Sequence, residues 1–140
     1  MTSAALVDAC AMVAAFNPGD QATGRYQALL QQASQEHWSL LTTWPCVVEA
    51  SYLLSPPKNL AMLRWVAAGA VSVFPFSPDD LPAMVDLMRR YTQAPRTEMD
   101  LADASLVWLA GDTGVTKIMT LDKRDFSRYR LPDGRAFEIL

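Results

Sequence analysis

The chain has one histidine and two cysteines in 140 residues. Cys10 and Cys46 form no CxxC pair and stand near no histidine cluster, which removes zinc clusters and redox dithiols from consideration. Both are read as small core residues rather than disulfide partners. His37, in Glu36-His37-Trp38, lies at a predicted helix end, where the helix dipole favours an ordinary histidine, and it is given no catalytic role. Charge is also sparse: 19% of residues are charged, against roughly 25% in soluble domains. Lys plus Arg number 12 and Asp plus Glu 15, a net of -3. That balance excludes a general polyanion-coating surface but leaves room for a local nucleic-acid groove. No apolar run reaches the roughly 18 residues of a membrane span. No basic segment precedes Ala4-Ala5-Leu6-Val7, and Asp8 interrupts the run at once, so neither a spanning helix nor a secretory leader is expected. The expected location is the cytoplasm, with no membrane partner.

What the chain does have is apolar material. Hydrophobic residues make up 51% of it, with four Trp, five Phe and four Tyr. A chain of this length buries about two thirds of its unfolded surface, which suffices for one domain spanning 1–140. The apolar excess suggests that part of the surface is covered by a partner. There is no internal repeat, low-complexity segment or linker, and Pro56-Pro57 reads as a corner within the domain.

The pattern alternates strands with helices. Ala4–Val7 predicts a strand that ends on Asp8, and a helical or turn segment over 9–16 stops at Asn17-Pro18-Gly19. Residues 20–38 carry Tyr26, Leu29, Leu30 and Ala33 at helical intervals. Leu40-Leu41-Thr42-Thr43 predicts a second strand, after which Thr43 can cap a helix opened by Trp44-Pro45 and carrying Glu49. A short helix over 60–68 and a strand over 70–74 follow. Ser77-Pro78-Asp79-Asp80 is the clearest helix start, with a hydroxyl cap, proline at the first position and an acid able to close an Asp-containing capping box. That helix should run to about Tyr91. Another starts near Asp100 and stops within 111–114; strands are predicted over 117–121 and 136–140. Helical crossovers of this length permit parallel pairing, so the expected fold is a three-layer α/β/α sandwich with a mainly parallel central sheet.

Four acids stand in unusual settings. Asp8 and Asp122 follow apolar strands, while Glu49 and Asp103 lie inside apolar helices. In open α/β sheets the carboxyl ends of strands and the neighbouring helix starts converge on one edge, where binding crevices form. Asp100 and Asp103, three apart, can share a helix face near its amide-rich beginning. Gathering these acids would raise some of their pKa values through like-charge repulsion, and a divalent cation would remove that penalty. An all-oxygen site suits Mg²⁺ or Mn²⁺, and phosphodiester cleavage is the chemistry that such a centre supports. Taken singly, each acid has another reading. Asp8 and Asp100 can cap helices, Glu49 can form a surface ion pair, and Asp122 can belong to a turn with Lys123-Arg124.

Four segments resemble the PIN domains of VapC-type toxins: Leu6-Val7-Asp8-Ala9, Val47-Val48-Glu49-Ala50, Met99-Asp100-Leu101-Ala102-Asp103-Ala104 and Thr120-Leu121-Asp122-Lys123-Arg124-Asp125-Phe126. The last two together carry most of the specificity. The resemblance implies an Mg²⁺- or Mn²⁺-dependent endoribonuclease, the toxin of a type II toxin-antitoxin pair, cleaving tRNA or another structured RNA. It places the metal ligands at Asp8, Glu49, Asp103 and Asp122, with Thr120 supporting the pocket and Asp100 and Asp125 as accessory acids. It further implies a cognate antitoxin and a homodimer. The neutral Thr42-Thr43-Trp44-Pro45 before Glu49 departs from the family pattern at the substrate entrance.

Six of the twelve basic residues fall between Lys117 and Arg135. Lys123, Arg124, Arg128 and Arg130 adjoin Asp122 and are candidates for phosphate contact, the alternative being a solvated surface. Trp44, Trp108 and Tyr129 could stack on an unpaired base, although aromatics at helical spacing usually serve the core. Two other function classes remain open on the residues alone: a non-catalytic RNA- or protein-binding module, and a metal-dependent DNA nuclease or phosphatase.

Overall fold

The computed structural model describes residues 3–93 and 97–140; Met1, Thr2 and residues 94–96 fall outside that description. Five strands form one parallel sheet in the order β3-β2-β1-β4-β5. They are β1 (Ala4–Val7), β2 (Ser39–Thr43), β3 (Ser72–Phe74), β4 (Lys117–Met119) and β5 (Glu138–Ile139). Between β1 and β2 lie α1 (Ala9–Phe16) and α2 (Thr23–Gln35), and between β2 and β3 lie α3 (Trp44–Leu53) and α4 (Lys58–Ala67). A 3-10 turn (Pro78–Asp80), α5 (Leu81–Tyr91) and α6 (Leu101–Thr113) lead to β4, and α7 (Lys123–Arg128) leads to β5. The expected α/β/α fold with a parallel sheet is the fold found, and every pairing among the described strands is parallel.

β1 sits at the centre because it has no polar face. Ala5, Leu6 and Val7 are fully buried, as expected of a parallel strand covered on both sides. The chain first builds outward from β1 through β2 to β3, then returns to lay β4 against its other edge. The direction of winding thus reverses between β1 and β4, the place where an open α/β sheet leaves a crevice at its carboxyl ends. Leu6 pairs with Ile118 and Val7 with Met119. The next residues on the two strands, Asp8 and Thr120, are therefore brought side by side, and the Asp8 amide donates to the Met119 carbonyl at 3.0 Å.

The capping box at Ser77 forms: its amide donates to Asp80 Oδ2 at 2.8 Å and its Oγ accepts from the Asp79 amide at 3.3 Å. The first turn is 3-10, and the α-helix proper begins at Leu81. Thr43 occupies the N-cap position of α3 but does not cap with its side chain. Its hydroxyl lies 2.6 Å from Ser105 Oγ and 3.4 Å from Cys46 Sγ, since the residue is wholly buried against α6. Helix α6 continues through Gly111, inside the expected stop region, and ends at Gly114 in the left-handed conformation (φ 77°). Gly111 marks a close approach instead: a Cβ there would come within 3.1 Å of Pro132 Cδ. The last two strands are shorter than expected, at three and two residues. Helix α7 was not expected at all, because a six-residue, mostly charged segment shows no apolar periodicity. Cys46 is buried and Cys10 half-buried, and both are free thiols.

Candidate metal centre

Acids far apart in the sequence become one site at the β1/β4 crevice. A hollow of about 210 Å³ is lined by Asp8, Glu49, Glu98, Asp100, Asp103, Asp122 and Asp125, with Cys10 and Leu53 among the other walls. All four acids proposed as ligands therefore face one space, as do the accessory acids Asp100 and Asp125. A larger cavity of about 540 Å³ between α5 and α6 contains none of them. Size alone does not locate the chemistry here.

Three of the acids are also helix caps, so the structural and functional readings coincide. Asp8 Oδ1 accepts from the Ala9 amide at 2.7 Å at the start of α1. Asp100 Oδ1 accepts from the Asp103 amide at 2.8 Å at the start of α6. Asp122 Oδ1 accepts from the Asp125 amide at 3.1 Å at the start of α7. Three amide-rich helix starts thus meet the hollow, and their positive dipole ends offset part of the repulsion among the acids. Thr120, fully buried, ties two caps together. Its hydroxyl donates to Asp8 Oδ2 at 2.8 Å and its oxygen accepts from the Asp122 amide at 3.0 Å. The Cys10 thiol also donates to Asp8 Oδ2, at 3.3 Å.

The remaining repulsion and burial appear in the proton affinities. Burial, then the charges of Asp8 and Asp100, push the Asp103 carboxyl up to about 8. Asp8, Glu49 and Asp122 are raised too, in each case chiefly by burial. Beside Asp8, burial lifts the Cys10 thiol to about 12, so it stays protonated at neutral pH.

Among the described residues, one oxygen from each of Asp103, Asp122 and Asp125 lies within 4.8 Å of the others. Ligand oxygens on a small divalent cation stand about 2 to 2.6 Å from it, hence at most roughly 4 to 5 Å apart. The donor set is entirely hard oxygen. These residues fit Mg²⁺ or Mn²⁺ with small side-chain adjustments. Asp8 and Glu49 stand outside that tight group but line the same hollow. A carboxylate offers about four lone-pair directions, and three are engaged at Asp8, which leaves one for a cation.

The basic residues divide. Lys123 and Arg124 are exposed at the first turn of α7, next to Asp122. Arg128 is committed to Asp125 through a 3.0 Å ion pair. Arg130 donates to the Ser127 and Tyr129 carbonyls and lines the α5/α6 cavity rather than the acidic hollow. Tyr129 is fully buried and so cannot stack on a base, Trp108 is half-buried in the α5/α6 cavity, and Trp44 is 53% exposed. His37, past the end of α2 at φ 56°, lines no part of the hollow. Glu98 escaped the sequence reading. The available signal was Glu98-Met99-Asp100, two exposed acids around a buried methionine.

No family model and no curated protein matches the chain by sequence. Solved structures do match by shape. One is VapC20 of Mycobacterium tuberculosis, described as a sarcin-ricin loop cleaving toxin, with a TM-score of 0.73 and 20% identity over 88% of this chain and 92% of that one. Another is VapBC2 of Rickettsia felis, solved with a DNA fragment from its promoter, with a TM-score of 0.67 and 15% identity over 98% of each chain. At these identities the likeness is one of fold: this chain has the PIN-like α/β/α architecture found in VapC toxins.

Proposed function

We propose that the protein is an Mg²⁺- or Mn²⁺-dependent endoribonuclease and the toxin of a type II toxin-antitoxin pair. The observation that supports this most is the joining of Asp8, Glu49, Asp103 and Asp122 in one hollow, with Asp103 driven up to about 8 by burial and then by its charged neighbours. Crowding these carboxylates disfavours their ionised forms, and a bound cation would relieve that cost. When bound, a divalent cation would supply charge to a scissile phosphate and orient the attacking water. The protein's own part is to hold the carboxylates still: Thr120 fixes Asp8, Asp100 caps α6 beneath Asp103, and Asp122 caps α7. Lys123 and Arg124 stand where the RNA backbone would pass, beside Asp122.

The RNA would be a structured one, tRNA or a sarcin-ricin loop such as VapC20 is described as cleaving. A protein partner is supported by the surface of α3. Trp44, Val48 and Tyr52 repeat at four-residue spacing and are 53%, 65% and 86% exposed. Leu53 continues this face to the wall of the hollow, so an antitoxin seated there would also reach the site. Leu81 and Val85 form a smaller exposed strip on α5 for self-association.

Purified protein, freed of any co-purifying partner, should cleave tRNA or a sarcin-ricin-loop RNA with Mg²⁺ or Mn²⁺ and not with chelator. Asp8→Asn should abolish cleavage while remaining folded. Wild-type protein inactive on both RNAs under every metal condition, or cutting single-stranded DNA in preference, would overturn the assignment. Light scattering of the same sample reads the expected homodimer.

A further inference from the structure

Tyr129 closes α7 as its C-cap residue and is fully buried. Its ring is held edge-on by Tyr91 and Phe126, each with centroids 5.0 Å away, and the Arg128 guanidinium stands 5.6 Å from its centroid. Ring packing alone would be served equally well by phenylalanine. The hydroxyl reaches out of this aromatic cluster and donates to Asp103 Oδ2 at 2.9 Å, across 26 residues of sequence. It is the one side-chain hydrogen bond that Asp103 accepts among the described residues.

We propose that Tyr129 is a positioning residue for Asp103, holding one carboxylate oxygen so that the other is presented to a divalent cation in the hollow. The inference rests on the metal-dependent reading above and extends it to a residue in the core. The geometry supports it in two ways. Asp103 sits in the first turn of α6, where no other described residue hydrogen-bonds its side chain. The clustered oxygens of Asp103, Asp122 and Asp125 lie within 4.8 Å, close to the limit for one cation, so rotation of a single carboxylate breaks the set. Helix α7 thereby braces the cluster at three points. Asp122 begins it, Asp125 sits in its first turn against Arg128, and Tyr129 ends it on Asp103.

The test compares Tyr129→Phe with Tyr91→Phe in the full-length protein. Tyr91 belongs to the same aromatic cluster, but its hydroxyl accepts from the Arg130 amide and bonds no carboxylate among the described residues. Mn²⁺ binding to metal-free protein is measured by calorimetry, without RNA. Loss of an outer-sphere contact typically weakens metal binding by about 10- to 100-fold, and Tyr129→Phe should weaken it by about tenfold or more, with Tyr91→Phe near wild type. In RNA cleavage, the Mn²⁺ concentration for half-maximal rate should rise by a similar factor in Tyr129→Phe, while kcat at saturating Mn²⁺ stays within about threefold. Equal Mn²⁺ affinity in wild type and Tyr129→Phe overturns the proposal, as does equal weakening in both variants or a wild type that binds no Mn²⁺. A wild type that binds Mn²⁺ but cleaves no RNA would remove the ribonuclease reading and leave the role of Tyr129 standing on the binding data.

Discussion

Raising the pH should destabilise the metal-free protein, and a divalent cation should reverse the effect. The ordinary value for Asp103 is 3.8, and in the folded chain it stands at about 8. Between those values the native state holds up to one proton more than the unfolded state, so stability falls as pH rises. The contribution is fully present below the unfolded value and is lost as pH climbs through about 8. This is the reverse of the usual salt-bridged carboxylate. Each pH unit inside the window costs at most about 1.4 kcal/mol for one group, so passing from about pH 5 to about pH 8 removes at most about 4 kcal/mol for Asp103 alone. Asp8, Glu49 and Asp122 shift in the same direction and add to the sign. With a urea slope of about 2 kcal/mol per molar, the unfolding midpoint should drop by up to about 2 M across that range in chelator. Asp103→Asn removes one titrating proton and should make the profile shallower, the remainder belonging to Asp8, Glu49 and Asp122. At about pH 8, Mg²⁺ or Mn²⁺ should restore the midpoint of the wild type, because the cation binds the ionised form and only the native state assembles the site. A wild-type midpoint that is flat or rises from about pH 5 to about pH 8 in chelator would refute the crowding on which the metal centre rests.

Other perturbations separate scaffold from site. Thr120→Val keeps the volume but leaves Asp8 Oδ2 to the weaker Cys10 thiol and takes the acceptor from the Asp122 amide; losing buried partners of this kind costs about 1 to 3 kcal/mol, to be read by urea unfolding. Leu106→Ala, at a fully buried position of α6, should cost about 2 to 5 kcal/mol by the same measure. Lys123→Ala combined with Arg124→Ala should leave stability within about 0.5 kcal/mol while weakening RNA binding. It should also lower the slope of log affinity against log salt by roughly one to two, as expected if both contact phosphate; an unchanged slope would assign these two cations to solvent.

The fold was legible where one local signal dominated. β1 could be read because four apolar residues end abruptly on an acid, and the start of the turn and helix after Phe76 because Ser77, Pro78 and Asp80 each act within a few residues. The reading faltered where packing overrides local chemistry. Thr43 looks like a helix cap from its neighbours, yet burial against α6 gives its hydroxyl to Ser105. The stop expected over 111–114 is met at Gly114, but the role of Gly111 inside the helix was not visible, since the close approach of Pro132 that leaves no room for a Cβ there is set by packing. Strand length is equally invisible, since Leu121 and Ala136 are compatible with strand but find no partner in the ladder.

For the site, the kinds of residue were legible and their ranking was not. Two acids at strand ends and two inside apolar helices announce a hard-oxygen centre, because strand ends and helix starts converge at the reversal of the sheet. Which of them approach within one cation's reach depends on α7, a segment too short and too charged to declare itself. By fixing Asp125 one turn beyond Asp122 and close to Asp103, that helix brings an acid read as accessory into the tightest group, while Glu49 faces the hollow from outside that group. Tyr129 was weighed in the sequence for what its ring could touch. Its consequence lies in the hydroxyl, whose partner is 26 residues away and is set by the closing of α7 against α6. Sequence order carries the inventory of a site like this one, and tertiary packing decides which carboxylate oxygens are free to face a cation.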